Sequence, residues 1–131
     1  MATTNTAITS GVRVSVSTQF RTDLSDPLNS RFFFNYRVSV ENQNAFPVML
    51  MHRDWYIFDS LNEVDFVSGE GVVGEQPIIE SEKRFSYISG CELNSEIGQM
   101  KGFYTFKNLL TEELFQVHIP QFDLFYPPKL N

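Results

Sequence analysis

Apolar and polar residues alternate along most of this chain, and that two-residue period restricts it to strands. Val12, Val14, Val16 and Thr18 interleave with Arg13, Ser15, Ser17 and Gln19, the pattern of a strand with one face buried. Asp26-Pro27-Leu28-Asn29 then signals a loop. Phe32, Phe34, Tyr36, Val38 and Val40 fall on one face of the next strand, and Phe33, Asn35, Arg37, Ser39 and Glu41 on the other. Asn42-Gln43-Asn44 ends it.

Pro47 precedes a third strand, about Val48 to Phe58, with Met49, Met51, Arg53, Trp55 and Ile57 on one side. Asp59-Ser60-Leu61-Asn62 reads as a hairpin turn, and a fourth strand runs through Val64 and Val67. Ile78-Ile79 is a short strand, Glu80 to Lys83 a turn, and Arg84 to Ser89 a further strand. Gly90 to Ile97 is expected to be a loop or edge segment. Met100, Gly102, Tyr104 and Phe106 alternate next, and Leu114 to Ile119 follows, with Pro120 expected to stop it. Phe122, Leu124 and Phe125 pack the tail down. No helical period persists beyond two turns, so the expected fold is all-β: an immunoglobulin/fibronectin type III-like β-sandwich of seven to eight strands. The thirteen phenylalanines suit the core of such a sandwich, since burying one large side chain is worth roughly 1.5–3 kcal/mol.

The 131 residues are expected to form a single domain, 1–131, with residues 1–10 flexible. A formal charge of −6 argues against nucleic acid as a partner, because such binders carry a basic face. The one cysteine, Cys91, excludes an internal disulfide framework. The start, Met1 to Thr6, lacks the basic and apolar blocks of a signal peptide. No apolar run approaches the roughly 20 residues of a membrane helix, so neither membrane insertion nor export is expected, and the compartment reads as cytoplasmic.

Gly69-Glu70-Gly71-Val72-Val73-Gly74-Glu75-Gln76-Pro77 carries the glycine spacing of a dinucleotide-binding loop. Its context does not fit. Such a loop must open a helix whose N-terminus holds pyrophosphate, whereas β-branched Val72 and Val73 and then Pro77 follow here. Glu70 and Glu75 would repel phosphate. Glycines inside a strand pattern also mark bulges and sharp bends, and three in six residues suggest a strand that bends and crosses between sheets. Backbone amides there could still form an anion nest. On that alternative, Gly69, Gly71, Gly74, Glu75 and Arg53 are the ligand-binding candidates, for pyrophosphate or a nucleotide.

Other constellations are sparse. His52 and Asp54 could offer two metal ligands on one strand face, or simply form a solvated polar face; His118 lies far away in sequence. No metal site, cofactor or catalytic group is expected. Cys91 reads as an inert thiol. Arg53 and Trp55 share a face, as a cation–π pair or ligand platform or as a core tryptophan beside an edge-capping arginine, the tryptophan fitting a sandwich core.

Five ordered blocks resemble the ApaG family of bacterial proteins: Phe34 to Asn42, Arg53-Asp54-Trp55-Tyr56-Ile57, Gly69 to Pro77, Phe85 to Gly90 continuing through Gly98 to Tyr104, and Phe115 to Phe122. The similarity spans Val14 to Leu124. Two positions depart from the family pattern: Asp54 stands where a histidine is usual, and Glu82-Lys83 replaces a glycine-containing turn, which implies a different turn type. The resemblance implies a small cytoplasmic fibronectin type III-like domain, related to the C-terminal domains of some F-box proteins, and linked to cobalt resistance and magnesium efflux. It therefore points to a non-enzymatic module for protein–protein interaction, acting on an unidentified protein partner or as a homodimer through exposed edge strands. Phe125-Tyr126-Pro127-Pro128 is suited to docking on a neighbour or on the chain's own sheet.

Overall fold

A computed structural model describes residues 4–130 of the chain. Two antiparallel sheets form a sandwich. One holds β1 (Thr4–Thr9), β2 (Val12–Phe20), β3 (Phe32–Asn42) and β7 (Arg84–Leu93), in the order β1-β2-β3-β7. The other holds β4 (Val48–Asp59), β5 (Asp65–Glu70), β8 (Ile97–Asn108) and β9 (Leu114–Phe125), in the order β5-β4-β8-β9, with β6 (Ile78–Ile79) paired to β4. The described residues thus contain one strand more than the eight read from the sequence. The addition is β1, which pairs with β2 from Thr4↔Ser17 to Thr9↔Val12 through a tight turn at Ser10-Gly11. Its residues, expected to be flexible, are polar on both faces apart from Ala7 and Ile8, and backbone pairing orders them without an apolar stripe. Residues 1–3 lie outside the described residues.

The period-2 pattern is realised in register. Val14 opposes Val40 and Val16 opposes Val38, and all four are fully buried. They face Tyr104, Phe106, Val117 and Leu124 of the other sheet, which are equally inaccessible. Trp55 lies at the centre of an aromatic cluster. Its ring centroid is 5.4 Å from that of Tyr36, 5.9 Å from Phe122 and 6.4 Å from Tyr104. Such tilted and edge-on pairs add about 0.5–1.5 kcal/mol each beyond area burial. The Tyr87 and Tyr104 hydroxyls hydrogen-bond to each other across the sandwich, so no buried side-chain polar atom among the described residues lacks a partner.

Two strands run further than the sequence suggests. β7 continues through Gly90 and Cys91 to Leu93, because Asn35, Phe34 and Phe32 of β3 keep pairing with Gly90, Cys91 and Leu93. β9 passes straight through Pro120. Met100 pairs with Phe122 and Gly102 with Ile119, so Pro120 and Gln121 oppose one residue of β8. A proline is tolerated at such a bulge because the ladder is already interrupted there. The bulge also switches parity, so Ile119 and Phe122 both point inward. At the C-terminus, the Tyr126 ring packs 5.0 Å from Phe20 and 5.1 Å from Phe32, docking on the chain's own sheet.

A second bulge, at Met51 between Leu50 and His52, interrupts the pairing of β4 with β8. It corrects the single face assigned to Met49, Met51, Arg53, Trp55 and Ile57. Val48 and Leu50 are the buried residues before it and Trp55 after it. An extra residue in a strand re-aims everything beyond it, and here it turns Arg53 to the inward face shared with Trp55.

Candidate functional site

The glycine segment does not cross between sheets. β5 and β6 both pair with β4 on the side away from β8, so Gly71 to Pro77 is an excursion from one interrupted edge strand. Val72 and Glu75 exchange both backbone hydrogen bonds, at 2.8 and 3.0 Å. Val73 and Gly74 are the two central residues of this turn, with φ of 42° and 84°, as a two-residue hairpin loop with positive φ at both positions requires. No helix follows. The excursion is anchored by Gly71 N–H donating to the Met51 carbonyl and Gln76 Nε2 donating to the same oxygen, both at 2.9 Å.

Each glycine has its own reason. Gly69 lies under the Arg53 side chain: a Cβ there would stand 2.9 Å from Nη2 and 3.0 Å from Cζ. Gly71 combines φ +58° with a Cβ position 2.0 Å from the Glu75 carbonyl oxygen. Gly74 meets open space and needs only its φ of +84°.

Arg53 passes over Gly69 and donates from Nη1 to the Glu70 and Gly71 carbonyls, at 2.8 and 3.0 Å. The loop therefore turns carbonyls toward Arg53, while the amides of Gly71, Val72 and Glu75 are consumed internally. Of the proposed nest, the amides of Val73 and Gly74 remain without a partner among the described residues. Glu75 is exposed on the outer side of the turn.

The inward side of Arg53 faces a gap between the sheets. Here β5 and β7, the edge strands of the two sheets, stand apart and leave a cavity of about 320 Å³. Its floor is Trp55 and Met100, one wall is Val67 and Val72, and the other is Tyr87 and Cys91. Burial pushes the Cys91 thiol up to about 11, helped by Asp59 and Asp65. The thiol is therefore protonated near neutrality and not a nucleophile. Burial likewise raises Tyr36, a shift that Ser89 opposes by hydrogen bonding.

His52 and Asp54 come together on the opposite face through Ser68, a residue that belongs to no motif. Ser68 hydrogen-bonds His52 Nε2 at 2.7 Å and donates to Asp54 Oδ1 at 2.9 Å. Ser68 thus bridges the two, donating to Asp54, while the histidine nitrogen donates or accepts according to its tautomer. No three His, Cys, Asp or Glu side chains converge as a metal site among the described residues. A second hub also had no sequence signal. Asp59 accepts from the Asn94 amide at 2.7 Å and from the Ser95 hydroxyl, tying the β4–β5 turn to the β7–β8 turn. Burial works against this carboxylate, but its hydrogen bonds, chiefly from Ser95, hold it below the usual range.

The ApaG domain model matches residues 22–108, which include β3 to β8, the glycine excursion and Arg53. This chain belongs to the ApaG family. A Protein ApaG from Methylobacterium radiotolerans is 40% identical over 121 residues, 92% of either chain. One from Anaeromyxobacter dehalogenans is 38% identical over 129 residues, 97% of this chain and 99% of the relative. The crystal structure of a Bordetella pertussis protein named ApaA superposes with a TM-score of 0.85 at 35% identity, over 88% of this chain and 94% of that one. An Archaeoglobus fulgidus protein shares the fold alone, with a TM-score of 0.52 at 9% identity. In this ApaG chain the glycine run is an edge-strand excursion. The partner of Asp54 is Ser68. Among the described residues no helix is long and apolar enough to cross a membrane.

Proposed function

We propose that this ApaG chain is a non-enzymatic binding module that acts through protein contacts, taking an extended segment of a partner as an added strand on β5. The observation that carries this reading is β5 itself. It ends its sheet, and every residue of it except Gly69 is exposed. Phe66 is 51% and Val67 39% accessible, and the Phe66 ring packs at a tilt against exposed Tyr56, with centroids 5.0 Å apart. Ile78 of β6 extends the apolar row along the same edge of β4. An open, apolar edge strand is a template for pairing with another chain. Glu63, Asp65, Glu70 and Glu75 border it, which favours a segment combining apolar with basic residues. On this reading, a link to cobalt resistance and magnesium efflux is exercised in the cytoplasm through that partner, and the chain supplies recognition.

Affinity capture with the intact chain, followed by hydrogen exchange on the purified complex, tests the proposal. Protection of the β5 amides on binding is expected, together with at least about tenfold weaker capture by Phe66→Lys, a charge at the centre of the edge. Protection confined to other strands, or unchanged capture by Phe66→Lys, overturns it. The same exchange pattern in a self-associated sample identifies the partner strand as a second copy.

The second reading, pyrophosphate or nucleotide on the glycine loop, has support only from the free amides of Val73 and Gly74 and from Arg53. Calorimetry with pyrophosphate and ATP tests it: heat that saturates and disappears in Arg53→Gln supports it, and none at millimolar ligand removes it.

A further inference from the structure

Among the described residues, Arg53 is the one cation lining the gap between β5 and β7, and fastening the loop uses only part of its hydrogen-bonding capacity. It is partly buried, yet no carboxylate forms an ion pair with it among the described residues. A guanidinium offers five donors. Nη1 serves two carbonyls, which leaves Nε and Nη2 without a protein acceptor among the described residues. The guanidinium is only partly withdrawn from water, and it borders a cavity of about 320 Å³, within the size range of small-molecule sites. A bulge at Met51 aims it there, and Gly69 leaves the space in which it lies.

We propose that the interlayer cavity is a binding site for a small organic carboxylate with a flat apolar body. The carboxylate is held by the free donors of Arg53, and the body lies between Trp55 and Met100 on the floor and Tyr87 on the β7 side. The chemistry follows from the lining. A planar guanidinium matches a carboxylate in two parallel hydrogen bonds. Trp55, Met100, Val67 and Val72 exclude a strongly hydrated body. A phosphate dianion is disfavoured by the single guanidinium, whereas a monoanion with an apolar tail matches one cation and an apolar lining. Ser89, a small residue on β7, lies at the mouth near Cys91. The inference is independent of strand pairing on β5, since it concerns the isolated chain.

Trp55 is the single tryptophan and forms part of the cavity floor, so its fluorescence reports occupancy. Titration of the intact chain with 3-phenylpropionate is expected to give a saturable change in Trp55 emission. The neutral analogue 3-phenylpropionamide is expected to bind at least about tenfold more weakly, as is 3-phenylpropionate to Arg53→Gln, the loss typical of a hydrogen-bonded charge. Comparing acid and amide on the unaltered protein keeps the test decisive if Arg53→Gln folds poorly. Acetyl-Gly-Phe separates two sources of the same chemistry: tighter binding than 3-phenylpropionate assigns a peptide chain end, and weaker binding assigns a free acid. No saturable change, equal binding of acid and amide, or tighter binding of inorganic phosphate overturns the proposal.

Discussion

Arg53 lies across Gly69, so close that a Cβ at position 69 would stand 2.9 Å from its Nη2, and it hydrogen-bonds the two carbonyls just beyond. Glycine and arginine are thus parts of one device. The arginine turns inward at a bulge, the glycine gives it a track, and the Gly71 to Pro77 excursion is fastened to its tip. The glycine spacing, which resembles a nucleotide fingerprint, serves three separate geometric demands.

Those demands rank three substitutions. Gly71→Ala combines a left-handed φ with a Cβ 2.0 Å from backbone, and is expected to cost about 3 kcal/mol or more. Gly74→Ala meets only the φ penalty, about 1–2 kcal/mol. Gly69→Ala displaces a flexible side chain and two charged hydrogen bonds, again about 1–2 kcal/mol. Urea unfolding of the three variants checks the order; a loss for Gly71→Ala no larger than the others contradicts it.

Val73 is a β-branched residue at φ 42°, 55% exposed at the tip of the turn. Val73→Gly relieves a left-handed strain of about 1–2 kcal/mol against a chain-entropy cost of about 0.5–1 kcal/mol. A rise in stability of about 0.5–1 kcal/mol is expected, read as a higher midpoint in thermal unfolding.

Asn42 is fully buried and its amide is fully used. Nδ2 donates to the Phe46 and Ile79 carbonyls at 2.8 and 3.0 Å, and Oδ1 accepts from the Asn44 amide at 3.0 Å. Asn42→Ala strands two carbonyls and one N–H, and is expected to cost about 2–4 kcal/mol in denaturant unfolding.

Stability is expected to fall on the alkaline side. Burial raises Cys91 from 9.0 to about 11, and raises Tyr36, Tyr87 and Tyr104 above 10.0. These groups stay neutral in the native state after the unfolded chain has begun to ionise. The native state then binds more protons, so the contribution of these four groups is constant below about pH 9 and declines above it, by up to about 1.4 kcal/mol per pH unit per group. Equilibrium unfolding at several pH values checks the slope. Alkylation of native Cys91 by iodoacetamide should accelerate through pH 9 to 11 without the plateau of an ordinary thiol.

The strand pattern was legible because burial on one face imposes a period of two, as Phe32 to Val40 shows. What escaped the sequence was whatever depends on pairing rather than pattern. β1 has little apolar stripe to read. Pro120 is accommodated by a bulge that exists only opposite Lys101. The inward turn of Arg53 comes from the extra residue Met51, and periodicity alone placed Met51 and Arg53 on one continuous face. The sequence makes Arg53 and the glycines candidates for one ligand site, and Arg53 does lie against Gly69 and the loop carbonyls; which atoms point at it, carbonyls rather than amides, is decided by the two-residue turn at Val73-Gly74. Ser68 and Asp59 carried no motif, since each is a short polar residue whose partners come from distant segments.

Hydrogen exchange on the chain with its captured partner tests the central claim, recognition along β5, most directly. The account predicts slowed exchange at the β5 amides between Asp65 and Glu70, with the protected core strands β3 and β8 unchanged. Slowed exchange elsewhere, with β5 as fast as in the free chain, would contradict it.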